Sequence, residues 1–193
     1  TNFSFQSSGA GTNFGKSIAH TYGGDYATLS ARDYTDFSVT FWARPSGLSS
    51  NSSTFKGVFG NQGSGQLIWG DGYNSEMRFG LNHNSFSGGN GGSDKYMATD
   101  NSITTLSDAT WYHFAWTRNG TDSRLYVNGV KGLTVTEDIS SITLNSTLYL
   151  GTASTQVGSA TYDAQGQFDH MRIFNKKLSD SEVTSLYNFE DGS

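Results

Sequence analysis

Residues 37–44 read Phe-Ser-Val-Thr-Phe-Trp-Ala-Arg, with Phe37, Val39, Phe41 and Ala43 at every second position. Ser38, Thr40, Trp42 and Arg44 fill the positions between them. A repeat of two is the side-chain period of a β-strand and cannot gather one face on a helix. The segment must therefore lie in a sheet with its apolar face against a second layer. Pro45, the only proline, is expected to end it, because proline gives a ladder no donor.

Shorter strand signals recur along the chain, at residues 2–6, 17–20, 25–30, 56–60, 66–70, 76–81, 111–118, 124–127, 148–151 and 167–174. Gly23-Gly24, Asn119-Gly120 and Asn128-Gly129 supply turns between them. Many short strands with regular turns point to an all-β, two-sheet antiparallel sandwich. One helix is expected over residues 180–188. Ser179 and Glu182 form an S-x-x-E capping box before it, and Val183, Leu186 and Tyr187 form its apolar stripe. Two stretches read as long loops, 46–54 and 83–100, either ligand-binding or simple surface insertions.

Composition narrows the possibilities. Charged residues are only 15% of the 193 and aromatics reach 14%, which opposes disorder. A sandwich of this length forms as one domain, residues 1–193. The net charge is −5 and no basic stripe exists, so nucleic acid is not expected as a partner. No apolar run approaches the length of a membrane span, so membrane insertion is not expected. With no cysteine, disulfides and thiol chemistry are excluded.

Three segments carry a family signature. Trp111-Tyr112-His113-Phe114-Ala115-Trp116-Thr117-Arg118 followed by Leu125-Tyr126-Val127-Asn128-Gly129 resembles the W-x-H-x-A-x-T … L-Y-x-N-G hairpin of laminin G-like jelly rolls. Residues 166–175, Gly-Gln-Phe-Asp-His-Met-Arg-Ile-Phe-Asn, with Leu178, Ser179 and Glu182, resemble the closing G-x-I-D-x-V-R-I-Y-N … L-S-x-x-E of the same domains. Gly23-Gly24-Asp25-Tyr26-Ala27 is a weaker match to their G-x-x-D-Y-V. The resemblance implies a concanavalin A-like/laminin G-like jelly roll with one short C-terminal helix. It also implies an extracellular, cell-surface or virion-associated setting. The fold hosts lectins, adhesins, protein receptors and glycosidases, so it does not fix the ligand.

The resemblance further implies a structural calcium ion. Its side-chain ligand would be Asp169, with partners near Gly23, Gly24 and Asp25; a hydrogen-bonded structural Asp169 is the alternative. Calcium takes six to eight oxygens, and carbonyls with one or two carboxylates suffice. On strict alternation Asp169 shares a face with Met171 and Ile173, and His170 points to the other.

Glycans are held by flat aromatic faces and by groups that bond hydroxyls. Trp69, Asp71, Tyr73 and Asn74 make one such mixture; Asn82, Asn84, Phe86 and Tyr96 make a second. Taken alone, Trp69 reads as a core residue and Tyr73 as a hairpin tip, the alternative to ligand binding. Glycosidases of this fold use E-x-D-x-x-E on one strand, which puts alternate carboxylates on one face. The four glutamates Glu76, Glu137, Glu182 and Glu190 do not start that pattern, and Glu76 with Asp71 is the one pairing left open. His113 reads as a packed strand residue, and no histidine pair has zinc spacing. The expected function is a non-catalytic glycan-binding module. A protein-interaction or adhesion module is the alternative, and a hydrolase with non-standard carboxylates is third.

Overall fold

A computed structural model describes residues 4–6, 17–20, 27–29, 36–46, 56–61, 64–69, 77–81, 95–98, 106–120, 122–135, 148–151 and 164–191. Its strands are β1 (Ser4–Gln6), β2 (Ser17–His20), β3 (Ala27–Leu29), β4 (Phe37–Ser46), β5 (Lys56–Asn61), β6 (Ser64–Trp69) and β7 (Met77–Leu81). They continue as β8 (Lys95–Ala98), β9 (Tyr112–Asn119), β10 (Asp122–Val127), β11 (Val130–Val135), β12 (Leu148–Leu150) and β13 (Gln165–Phe174), and helix α1 (Asp180–Asp191) closes the chain. One sheet runs β1-β2-β13-β4-β9-β10-β11 and the other β3-β12-β5-β6-β7-β8. Their ladders are antiparallel.

Phe37, Val39, Phe41 and Ala43 enter one buried cluster with Phe114, Trp116, Leu125 and Phe168 of the same sheet. Val58, Phe59 and Leu150 of the second sheet complete it. Phe37 and Trp116 meet edge to face at 4.5 Å, the arrangement that the ring quadrupoles favour. The period of two is thus spent on inter-sheet packing.

Several expectations need correction. β4 runs through Pro45 to Ser46. Pairing with β9 stops at Ala43, while pairing with β13 continues, Pro45 opposite Gly166. A proline beyond the β9 ladder withholds no needed donor. Residues 95–98, read as loop, are strand β8, paired with β7. β11 escaped notice because a bulge sets Gly132 and Leu133 against one residue of β10 and breaks its alternation. At the first hairpin Asn119 is the last residue of β9 and pairs with Asp122, so Asn119 and Gly120 are not together the two-residue turn. Asn128 and Gly129 do form the expected two-residue turn, with φ of 49° and 75°, the both-positive type that matches strand twist.

The largest correction concerns β13. Its register against β4 shifts between Asp169 and Arg172, and His170 has φ 51°. The extra residue reverses the alternation. Phe168 and Ile173, five apart, both reach the inter-sheet core. Asp169 opposes Trp42 and Arg172 opposes Thr40 on the outer face, so Asp169 does not share a face with Met171 and Ile173. His170 lies on the same side as Asp169, with Nε2 3.6 Å from its Oδ1.

Helix α1 lies on that outer face. The capping box forms as expected: the Ser179 N–H donates to Glu182 Oε2 at 2.8 Å and the Glu182 N–H to Ser179 Oγ at 3.2 Å. Asp180, in the first turn, accepts from Tyr126 at 2.7 Å, Arg124 at 2.8 Å and Lys131 at 2.9 Å. These bonds, that from Tyr126 foremost, lower its pKa to about 2. Val183 is fully buried with Ala115, Tyr126 and Leu178. Tyr187 stacks on Trp42 at 5.7 Å. At the far end Glu190 is fully buried, accepts from Trp42 Nε1 at 2.7 Å and pairs with Arg172. A carboxylate at a helix C-terminus opposes the dipole, so the cation and the indole donor are what hold it there. Glu190→Ala is expected to destabilise the protein by roughly 2–3 kcal/mol, below the 3–5 of a fully buried pair because Arg172 is partly exposed. Denaturant unfolding with Trp fluorescence reads this directly.

Candidate functional site on one rim of the sandwich

Hydrogen bonds tie the ends of many strands into one rim. The Ala164 N–H, just before β13, donates to Gly151 O at 3.1 Å. The Gly151 N–H, just after β12, donates to Val58 O near the start of β5 at 2.8 Å. Lys56 of β5 pairs with Trp69, the last residue of β6. On the other sheet, Gly166 pairs with His20 at the end of β2 and with Pro45 near the end of β4. The Ala109 N–H donates to Pro45 O at 2.9 Å. The chain therefore leaves β2, β4, β6 and β12 on this rim and enters β5, β9 and β13 there.

Of the expected ligand residues, Trp69 and Tyr96 are among the described ones. Trp69 ends β6 on the rim, in the row of Lys56 and Met77. Asp71, Tyr73 and Asn74 follow it but lie outside the described residues, as do Gly23, Gly24 and Asp25 after β2. Asn82, Asn84 and Phe86, also outside them, follow the end of β7, which is antiparallel to β6 and runs away from this rim. Tyr96 sits in β8 opposite Gly80, on a row of the other parity from Trp69. Trp69 and Tyr96, the described members of the two groups, thus lie toward opposite ends of the sheet.

The described part of the rim contains a polar pocket of about 230 Å3 lined by Arg44, Pro45, Ser46, Asp108, Ala109, Gly166 and Gln167. Arg44 Nε donates to Ala109 O at 2.9 Å, and Nη1 donates to Gln167 Oε1 at 3.0 Å. Ala109 holds φ 60°, a left-handed value costly for a residue with a Cβ. Gly166 holds φ 138°, and a Cβ there would come within 2.3 Å of Arg44 O. Sequence reasoning passed over Arg44, Asp108 and Gln167. Arg44 was visible only as the last polar residue of an alternating strand, and nothing local links it to residue 109.

Asp169 lies inside the sheet, three residues or about 10 Å from Gly166. Its Oδ1 accepts the His170 N–H at 2.8 Å. His170 Nδ1 is 3.3 Å from Arg172 Nη2 and 3.8 Å from Glu190 Oε1. Burial lowers the His170 pKa, and Arg172 adds to this against the opposing charge of Asp169. Asp169 thus has an imidazole and a guanidinium beside it, and Gly23, Gly24 and Asp25, expected to share a calcium ion with it, lie outside the described residues. Among the described residues no group of three or more His, Asp or Glu could hold a metal.

His113 is fully buried in the row of Trp42 and Asp169. Its backbone exchanges bonds with Asn128 at 2.8 and 2.9 Å. Burial, then Arg172, lowers its pKa to about 3, although Glu190 Oε2 is 3.7 Å away. It is therefore neutral at pH 7 and serves as packing.

The chain belongs to the concanavalin A-like lectin/glucanases superfamily, matching a laminin G-type family over residues 21–184. It is a lectin-type β-sandwich. It is similar to domain 4 of AbnA, an extracellular GH43 arabinanase of Geobacillus stearothermophilus, in complex with arabinotriose. The TM-score is 0.68 at 16% identity, over 97% of this chain and 82% of that one. It is similar to the CBM40 of a Ruminococcus gnavus IT-sialidase bound to α2,3-sialyllactose, with TM-score 0.64, 16% identity, and 89% and 96% covered. It also resembles the ligand-binding domain of botulinum neurotoxin serotype D with N-acetylneuraminic acid. There the TM-score is 0.68 at 17% identity, and 98% of this chain spans 46% of that one. No curated protein sequence matches the chain.

Two outcomes follow. Because the folded-state pKa of His113 lies below its unfolded value near 6.5, the unfolded chain binds the proton first. Stability contributed by neutral His113 is full above pH 6.5 and declines as pH falls toward 3. In His113→Gln this acid decline should flatten, measured by unfolding midpoints from pH 7 to 4. Gly166→Ala should cost at least about 2 kcal/mol through strain and backbone displacement, measured by chemical denaturation.

Proposed function

We propose that the protein is a non-catalytic carbohydrate-binding module that works outside the cell and presents its ligand site on the rim described above. The observation that carries this reading is the full-length likeness to sandwiches whose structures hold arabinotriose, sialyllactose and N-acetylneuraminic acid. The rim adds chemistry suited to hydroxyl groups: a fixed guanidinium, a carboxylate and an amide. Trp69 ends its strand at the same rim, and Asp71, Tyr73 and Asn74 continue from it.

Non-catalytic action is supported by the carboxylates. Glu182 is committed to the capping box and Glu190 is buried under the helix. The sequence has no E-x-D-x-x-E strand. A hydrolase would need two carboxyl groups about 5 Å or 6.5–9.5 Å apart across a cleft.

A glycan array run with calcium and with EDTA tests the reading. The expected result is binding that survives EDTA, because a guanidinium and an amide bind hydroxyls without a cation. Binding that vanishes with EDTA and returns with calcium would assign a cation to the segment of Gly23, Gly24 and Asp25. Tyr73→Ala should weaken binding several-fold without lowering the melting temperature. Absence of glycan binding by a folded sample would instead favour a protein-interaction module.

A further inference from the structure

We infer that the Arg44 pocket is a saccharide subsite, and that it takes a neutral sugar ring carrying adjacent free hydroxyls. This rests on the module reading above and gives it a location and a ligand class.

The donors are preorganised. An arginine has five N–H donors in a planar fork. Bonds to Ala109 O and Gln167 Oε1 use two of them and fix the plane of the guanidinium. Three N–H bonds of Arg44 and both amide N–H bonds of Gln167 have no partner among the described residues. Fixing a donor before the ligand arrives removes most of the ordering cost of binding.

The backbone is also held out of its ordinary conformations at this place. Ala109 keeps φ 60°, which strains a residue with a Cβ, while Gly166 takes φ 138° without that cost and lets Arg44 O approach where a Cβ would be. Strain of this kind persists only where surrounding structure enforces it, and it collects at ligand clamps. Its effect here is to bring the residue 109 carbonyl onto Arg44 and to bring Gln167 alongside.

Charge selects the ligand. Among the described residues that line it, the pocket has one cation, Arg44, and one carboxylate, Asp108. A hydroxyl accepts from the first and donates to the second, and neighbouring hydroxyls of one ring do both at once. A sugar carboxylate would gain Arg44 but face Asp108. The volume, about 230 Å3, is below the roughly 300–1,000 Å3 of pockets for drug-sized ligands and suits one monosaccharide unit.

The test is an array of neutral oligosaccharides, arabinotriose included, beside sialylated ones such as α2,3-sialyllactose. It is read with wild type, Arg44→Ala, Gln167→Ala, Ser46→Trp and Tyr73→Ala. Ser46 is exposed on the lip of the pocket, so Ser46→Trp blocks it without removing any support of the fold. The expected result is a neutral ligand for wild type, weakened at least tenfold by Gln167→Ala and by Arg44→Ala. Ser46→Trp should abolish binding, with Gln167→Ala and Ser46→Trp melting as wild type does. If Gln167→Ala and Ser46→Trp bind like wild type while Tyr73→Ala does not, the pocket is overturned and the module reading stands. Preference for sialylated glycans that these variants abolish overturns the neutral class. A folded wild type that binds nothing overturns the module reading and the pocket with it.

Discussion

Strand β13 serves both sides of its sheet because it carries one residue too many at His170. Without that bulge a ten-residue strand would send Phe168 and Ile173, five apart, to opposite faces. With it, both pack into the inter-sheet core, while Asp169, Arg172 and Phe174 face the helix. The positive φ of His170 absorbs the extra residue. Two apolar layers and one polar row therefore depend on a single irregularity in the strand with partners on both sides.

The helix is the second consequence. It has a polar clasp at each end and an apolar contact between them. Asp180 gathers Tyr126, Arg124 and Lys131; Val183 enters the second cluster; Glu190 takes Trp42 and Arg172. The row Asp169–Trp42–His113 beneath Tyr187 and Glu190 is shut off by this packing. Residues that suggest a reactive site on paper, two histidines and two carboxylates, are in this protein the means of attaching a helix. The open rim, by contrast, combines fixed donors, strained backbone and strand ends from both sheets.

Much of the fold could be read from local pattern. The 37–44 alternation, the Asn128-Gly129 turn and the Ser179/Glu182 box each specify geometry within a few residues. The resemblance of residues 111–129 and 166–182 to laminin G-like domains agreed with them. What escaped reading was decided by partners distant in sequence. β8 is a strand through β7, and β11 through a bulged pairing with β10. Pro45 is tolerated because β9 has already ended. Of the candidate ligand residues, Trp69 ends its strand at the rim and Tyr96 lies toward the other end of the sheet, a difference that only the direction of β7 reveals.

The sequence alone determined that this chain is an antiparallel sandwich with a capped C-terminal helix, because strand period, turn chemistry and capping are short-range properties. Tertiary structure decided which side of β13 each residue faces, where Glu190 and Asp169 find their charges, and that Arg44, Asp108 and Gln167 share a pocket. Those outcomes depend on the register of β13 and on contacts such as Trp42–Glu190, Arg44–Ala109 and Arg44–Gln167, which lie 148, 65 and 123 positions apart, and no local propensity encodes them.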